Sequence, residues 1–411
     1  MPAPNSNPFV VRPLIRHLVA GILGAAVGLS FASPLPVRAE LRIIPSLALS
    51  EQYDSNVLFS NTGNEDLVTI LSPGLSATYK GRPLEGSLSG ILSIASYAKH
   101  SNFNYASASG ALNVDLTQLV GRLDKRARLQ VTGSGYYTPE LPTFITATAG
   151  FNPFATGVQP QRVRTYSYSS LVAGGYSLTS RVDLTGTYSY SYLNFGNTVG
   201  ASALTPLFRT VLQAVNVGPA IKLTPADSLS LQYQYQKVDY GGATPGFHTE
   251  GGTIGLTHGF SPKLTGTVSA GATKISPSDR IAPLVTLSMS WTERNTITTF
   301  IFTRSVTPSF AVSAGALESN LLALTVGHTL TDHLTGTVNV NYARSSSAAV
   351  TAGSATSFDS YGTSLTLGYS ITRSLSASFS YSHLHFTSDS LTFKSSFDRD
   401  VVALSISASW M

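Results

Sequence analysis

The sequence predicts an all-β protein: a transmembrane, antiparallel up-and-down β-barrel of about 18 strands, with 16 as the alternative, preceded by a cleaved signal peptide. Three observations predict it. Apolar and polar residues alternate through run after run, the period of two that a strand imposes because successive Cβ atoms point to opposite faces. A hairpin unit, clearest in Leu324-Thr-Val-Gly-His-Thr-Leu-Thr-Asp-His-Leu-Thr-Gly-Thr-Val-Asn-Val-Asn-Tyr342, recurs around Ser177–Tyr188, Lys222–Tyr233, Gly259–Val268 and Ser370–Phe379, as repeated supersecondary units do. Connections also alternate between short turns and longer segments, which outer-membrane barrels require and soluble sandwiches and propellers do not.

The first 39 residues read as a targeting peptide. Arg12, Arg16 and His17 form a basic region, 18–32 an apolar run, and Val37-Arg38-Ala39 a small-residue cleavage site. That run is shorter than the roughly 20 residues a spanning helix needs, so residues 40–411 are expected to cross a membrane only as a barrel. Strands are predicted at Leu41–Tyr53, Leu67–Tyr79, Leu84–Tyr97, Tyr105–Leu116 and Arg128–Tyr137, followed by an irregular segment, Thr138–Arg162. Beyond it the hairpins run Tyr166–Leu178 with Val182–Tyr192, Val211–Leu223 with Leu229–Tyr240, and Glu250–Phe260 with Leu264–Lys274. Leu284–Thr292 with Ile297–Val306, Leu322–Leu330 with Leu334–Arg344, and Tyr361–Ile371 with Leu375–Phe386 continue the series, and the last strand alternates strictly from Val402 to Trp410. Turns such as Thr179-Ser180, Pro225-Ala226 and Arg373-Ser374 are short. The segments Asn194–Arg209, Thr307–Ser319, Ser345–Ser360 and Thr387–Arg399 are expected to be long loops.

Residue type says which face meets lipid. Tyr188, Tyr190, Tyr233, Tyr342, Tyr369 and Trp410 share the apolar parity near strand ends, where aromatic girdles sit at membrane interfaces. The opposite parity carries Asp183, Thr185, Gln232, Gln234, Gln236, Asn339 and Asn341, and these are expected to line a wet lumen. Arg304 is an exception, because it shares parity with Phe300 and Phe302. Phe144, Ile145, Phe151 and Phe154 lie in the long segment 138–162, which has only Glu140 as an acid. So apolar a loop is expected to pack against something: the mouth, as a pore constriction, or equally the outer rim or a partner.

Composition excludes several classes. Only 11% of residues are charged, against roughly 25% in ordinary soluble domains. The absence of Cys removes disulfide and thiolate-metal sites. The formal charge of +5 includes Arg12, Arg16 and Arg38, so the remainder is near +2, too little to argue for a nucleic-acid partner. No nucleophile-elbow, zinc-protease, phosphate-loop or dinucleotide motif is present. Ser382 and His383 are adjacent on a strand and point to opposite faces, so they form no dyad; His383, His385 and His328 read as interface histidines. Asp54-Ser-Asn56 and Asn64-Glu-Asp66 lack full Ca²⁺-ligand spacing and read better as solvated loops. No enzyme, cofactor or metal is expected.

Two stretches carry a resemblance. Ile44-Pro-Ser-Leu-Ala-Leu-Ser-Glu-Gln-Tyr-Asp-Ser-Asn-Val57 is similar to the opening of outer-membrane barrel porins, including those associated with PEP-CTERM and exopolysaccharide systems. Val402–Trp410 resembles the closing signal read by the barrel-assembly machinery, except that Met411 follows the aromatic residue. The resemblance implies a channel-like protein of the Gram-negative outer membrane, with outer-membrane lipids and the assembly machinery as partners. A lumen of 16 to 18 strands is wide enough for water, so the first expectation is passage of small hydrophilic, neutral, sugar-like solutes. The alternative is a barrel component of an exopolysaccharide assembly and export system, partnered by that system's proteins; an outer-membrane hydrolase comes third.

Overall fold

A computed structural model describes residues 40–81, 84–138, 163–198, 207–242, 244–309, 315–348, 356–390 and 394–410. Eighteen strands follow one another: β1 (Glu40–Asp54), β2 (Asp66–Lys80), β3 (Glu85–Tyr97), β4 (Tyr105–Asp115), β5 (Ala127–Thr138), β6 (Val163–Ser177), β7 (Val182–Thr198), β8 (Thr210–Lys222) and β9 (Asp227–Tyr240). The second half comprises β10 (Phe247–Ser261), β11 (Leu264–Ser276), β12 (Arg280–Glu293), β13 (Thr296–Ser309), β14 (Gly315–Thr329), β15 (Leu334–Ser347), β16 (Thr356–Ser370), β17 (Leu375–Ser390) and β18 (Lys394–Ser409). Each pairs antiparallel with its chain neighbours, and β1 pairs with β18 from Ser46↔Ser409 to Asp54↔Val401. That last ladder closes the sheet. Closure leaves no strand edge, the one way a sheet can satisfy its backbone inside hydrocarbon.

The register sorts side chains by face. Val338 lies opposite Val326 and Leu365, and Leu365 opposite Tyr381, a continuous apolar row on the outer wall. One residue along, Thr325, Asn339, Ser364 and Ser382 form the matching inner row. Thr325 Oγ1 donates to Asn339 Oδ1 at 2.8 Å, and Asn339 Nδ2 donates to Ser364 Oγ at 3.1 Å, so the inner row satisfies part of its own polarity.

The hairpin repeat has a physical cause in its turns. Thr179, Thr224, Thr331 and Thr372 each accept backbone N–H bonds at their Oγ1 from the residues two and three positions on, at 3.0–3.3 Å. Ser261 does the same for the turn between β10 and β11. A hydroxyl that caps its own turn fixes the hairpin register locally. The longer β4–β5 connection carries a one-turn helix, Thr117–Val120. There the Arg126 guanidinium, helped by the Arg126 N–H and the Tyr176 hydroxyl, holds the Asp124 carboxyl below the ordinary carboxylate range.

These turns and both ends of the described barrel lie at one end, the periplasmic one by the usual rule. At the other end the expected long loops at 194–209, 307–319, 345–360 and 387–399 are corrected in extent, because strands reach into each of them, to Thr198, Ser309, Ser347 and Ser390 on the one side and from Gly315, Thr356 and Lys394 on the other. The β13–β14 ladder runs to Ser309↔Gly315, and β17–β18 runs to Asp389↔Lys394. Beyond the bilayer both faces of a strand are wet, so a Ser-rich extension needs no apolar alternation to remain a strand. Observed strands accordingly run from 11 to 17 residues.

Along one arc of the wall neighbouring backbones approach closely. A Cβ on Gly218 of β8 would stand 1.8 Å from the Leu231 carbonyl oxygen, and one on Gly251 of β10 would stand 2.2 Å from that of Ala272. Only glycine allows neighbouring backbones so close.

Candidate functional site

The inner wall of β17, β18 and β1 to β5 holds two connected recesses. The one nearer the external end, about 330 Å³, is lined by Gln52, Ile91, Ser93, Tyr105, Ser107, Tyr136, Ser382 and Val401, with Arg399 at its margin. The second, about 450 Å³, lies toward the periplasmic turns and is lined mainly by Ser46, Ser72, Ser376, Ser407 and Ser409. Ile91 lines both and marks their junction. Serines pair across strands along this path: Ser72 with Ser93 at 2.9 Å, Ser376 with Ser407 at 2.7 Å, and Ser405 to Ser50 at 2.8 Å. The result is a serine-rich track down one side of the lumen, with Arg399 at its external recess, Arg373 at its periplasmic one and no acidic residue among the described residues lining either.

The opposite side of the mouth is filled. Pairing between β12 and β13 reaches only Val285↔Arg304, while β13 and β14 stay paired to Ser309↔Gly315. Past Arg304 the β13–β14 hairpin separates from β12 and bends inward, while β14 stays paired with β15 as far as Leu317↔Ser347. The hairpin's tip meets Tyr240 of β9, whose hydroxyl donates to the Gly315 carbonyl at 2.9 Å and accepts the Gly315 N–H at 3.1 Å. Tyr240 shares its face with Gln232, Gln234 and Gln236, so the tip crosses β10, β11 and β12 on the lumen side. Val306 and Ala316, outer-face by parity, are thereby buried against inner-face Leu212, Val238, Phe247, Ile275 and Ala282.

Charge holds the hairpin there. Glu318 on β14, its side chain 10% exposed, lies 2.6 Å from Arg280 Nη2 and 2.9 Å from Arg304 Nη2. Arg280 Nη1 also donates to the Ala348 carbonyl. Arg304, out of place on a lipid-facing parity, is thus explained: it stands where β13 separates from β12 and takes Glu318 as its counter-ion.

A second clasp closes the seam of the barrel. Arg399 of β18 grips Asp54 of β1 through Nε at 3.0 Å and Nη2 at 2.5 Å, and the two are 4% and 1% exposed. The guanidinium lies 4.8 Å from the centre of the Phe59 ring, a cation–π contact, and Phe59 meets Phe397 edge-on at 5.7 Å. Phe59 has φ of +53°, a left-handed conformation uncommon for a bulky residue; these contacts hold it. Asn56 Nδ2 donates to the carbonyls of Ser60 and Asp398 at 2.7 and 2.9 Å, and Val57 is wholly buried with Val68, Ala95, Tyr97 and Phe103. Asp66 accepts the N–H groups of Lys99 and His100 at 2.9 Å each. The reading of 54–56 and 64–66 as solvated loop clusters is therefore corrected for Asp54, Asn56 and Asp66, which are buried and bonded.

The remaining residues singled out from the sequence fall as follows. Asp183 and Thr185 lie on the inner face of β7. Asp183 accepts from Ser177 Oγ at 2.5 Å and faces Arg128 and Lys222 at 3.1 and 3.5 Å. Gln232 Nε2 donates to Thr185 Oγ1 at 3.3 Å, and Gln234 Nε2 to Thr253 Oγ1 at 3.4 Å; Gln236 stands on the same face. Asn339 and Asn341 are inner-face residues of β15, the latter's amide packed over Gly362. On the outer face Tyr190 stacks on Tyr168 at 5.4 Å, and the Tyr342 hydroxyl donates to Asp359 at 2.8 Å. Tyr188, Tyr233, Tyr369 and Trp410 are exposed. His385 stacks on Tyr361 at 4.7 Å and pairs with Asp398; His383 pairs with Asp400. His328 Nδ1 lies 2.7 Å from Thr296 Oγ1. Residues 1–39 and the segment with Phe144, Ile145, Phe151 and Phe154 lie outside the described residues. Sequence reasoning missed Glu318, Arg280 and Tyr240, and missed Arg399 as the partner of Asp54.

The family described as "Putative beta-barrel porin 2" matches residues 228–409, which span β9 to β18. No curated protein sequence matches the chain. Among solved structures, the outer membrane protein OpdK of Pseudomonas aeruginosa is 11% identical, with 90% of this chain and 99% of that chain covered and a TM-score of 0.44. OccAB2 of Acinetobacter baumannii is 9% identical over 90% and 98%, at a TM-score of 0.45. OprD of Pseudomonas aeruginosa is 12% identical over 90% and 95%, at 0.42. These are likenesses of fold alone. With its closed ladder, its apolar outer wall and the match to a porin family, the chain is a porin-like barrel of the Gram-negative outer membrane.

Proposed function

We propose that the barrel is a passive channel for small, hydrophilic, uncharged solutes of the sugar type. The carrying observation is the lining of the track, which offers mostly hydroxyls and an amide, while the lumen carboxylates Asp54, Asp183 and Glu318 are each taken up by basic side chains. Asp54 takes Arg399, Asp183 takes Arg128 and Lys222, and Glu318 takes Arg280 and Arg304. A pore that selects anions or cations presents rings of like charge to the solute; here five cations meet three carboxylates, and the two in excess stand beside Asp183 and Glu318, outside the lining of the recesses.

Liposome swelling tests this reading. Vesicles containing the purified barrel are expected to swell in isosmotic neutral sugars, faster for a pentose than for a disaccharide, and more slowly in sugar acids or amino sugars of equal size. Swelling indifferent to charge, or restricted to one sign, would overturn the neutral-solute reading. No swelling at all, together with loss of surface polysaccharide on deletion, would favour polymer export in its place.

A further inference from the structure

We infer that the external recess of the track is a binding site for a neutral sugar ring, so that the channel retains its solute on the way through instead of acting only as a sieve. This rests on the neutral-solute reading and adds a site to it. At about 330 Å³ the recess falls at the lower end of the roughly 300–1,000 Å³ range of small-ligand pockets, room for one or two rings.

Its lining divides by chemistry. Tyr105, Tyr136, Ile91 and Val401 supply apolar surface, two of them as aromatic rings. Gln52, Ser107 and Ser382 face the same space, and no hydrogen bond to another described side chain occupies them. A sugar has this same division: the C–H bonds of one ring face stack on an aromatic side chain, and the hydroxyls at its edge need donors and acceptors. Among the described residues the one ionic group at the recess is Arg399, which is committed to Asp54 and nearly buried. A carboxylated or phosphorylated solute would therefore find no counter-charge, and a wholly apolar one would strand the amide and hydroxyls.

The test is ion-current block in planar bilayers, with maltose as the neutral probe and gluconate as the charged one. Each channel is scored relative to its own open current, so only assembled barrels count. The unaltered barrel is expected to show saturable block by maltose and weaker block by gluconate. Tyr105→Ala and Tyr136→Ala are expected to raise the half-blocking maltose concentration about tenfold each, a typical loss for one ring contact. Tyr105→Phe and Tyr136→Phe should restore most of the block, whereas Tyr233→Ala on the outer wall should leave it as it was. If Tyr136→Ala does not insert, Tyr136→Leu, which keeps bulk and removes the ring, takes its place.

Maltose block that does not saturate, or that is unmoved by either ring deletion, would overturn the site. Stronger block by gluconate would overturn the ligand class. Vesicles that still swell in neutral sugars under either result would leave the channel reading standing, so the two failures are distinguishable.

Discussion

Single channels of Glu318→Ala are expected to carry a larger and noisier current than those of the unaltered barrel. The substitution strands Arg280 and Arg304 beside each other with no carboxylate between them. Removing one partner of a buried ion group costs about 3–5 kcal/mol. Both arginines are more than a third exposed, so solvent screening reduces this to about 1–3 kcal/mol. At about 1.4 kcal/mol per factor of ten, the hairpin's undocked population should rise roughly five- to 140-fold. Undocking uncovers the inner faces of β8 to β12 and widens the mouth. Tyr240→Phe should act in the same direction but less strongly, since it removes only the hydroxyl's two bonds to Gly315, each worth about 1 kcal/mol. Unchanged conductance and noise in Glu318→Ala would mean that the hairpin does not limit the passage.

Asp54→Asn is the second large effect expected, and it reads out as selectivity. Arg399 would lose the Asp54 carboxylate while 4% exposed. A buried guanidinium left uncompensated costs about 3–5 kcal/mol, which the barrel can escape by releasing residues 55–65 and turning the charge into the recess. Either way the seam weakens and a fixed cation enters the track. In a salt gradient the reversal potential should move toward that of chloride, sugar acids should enter vesicles faster, and the denaturant midpoint should fall. An unaltered reversal potential together with an unaltered midpoint would show that the pair neither neutralises the track nor holds the seam.

The barrel was legible because the bilayer writes on sequence. Where a strand has lipid on one side and water on the other, as in Leu334–Tyr342, apolar and polar residues must alternate, and the 18 runs marked by that alternation are the 18 strands observed. The turn threonines were visible as a repeat before their role as caps was. Legibility ended where the bilayer ends. Ser345 and Ser347 are strand residues with no lipid beside them, so no apolar period announces them. The inserted hairpin is harder still, because Val306 and Ala316 keep the parity of lipid-facing residues while the bend turns that parity onto the opposite wall. Its trace in the sequence was a misfit: Arg304 on an apolar face, answered by Glu318 two positions off register across the same hairpin. Asp54 and Arg399 are separated by 345 residues, and only ring closure brings them together.

The absence of native cysteine makes the central claim directly testable by single-cysteine labelling in liposomes. The account holds that one parity of each strand faces an aqueous passage and the other faces lipid. Asn339→Cys, Ser364→Cys and Thr366→Cys should react with a small water-soluble maleimide, and Val338→Cys, Val340→Cys and Leu365→Cys should not. Equal reactivity across both sets, or protection of the Asn339 and Ser364 positions with labelling at Val338 and Leu365, would contradict it.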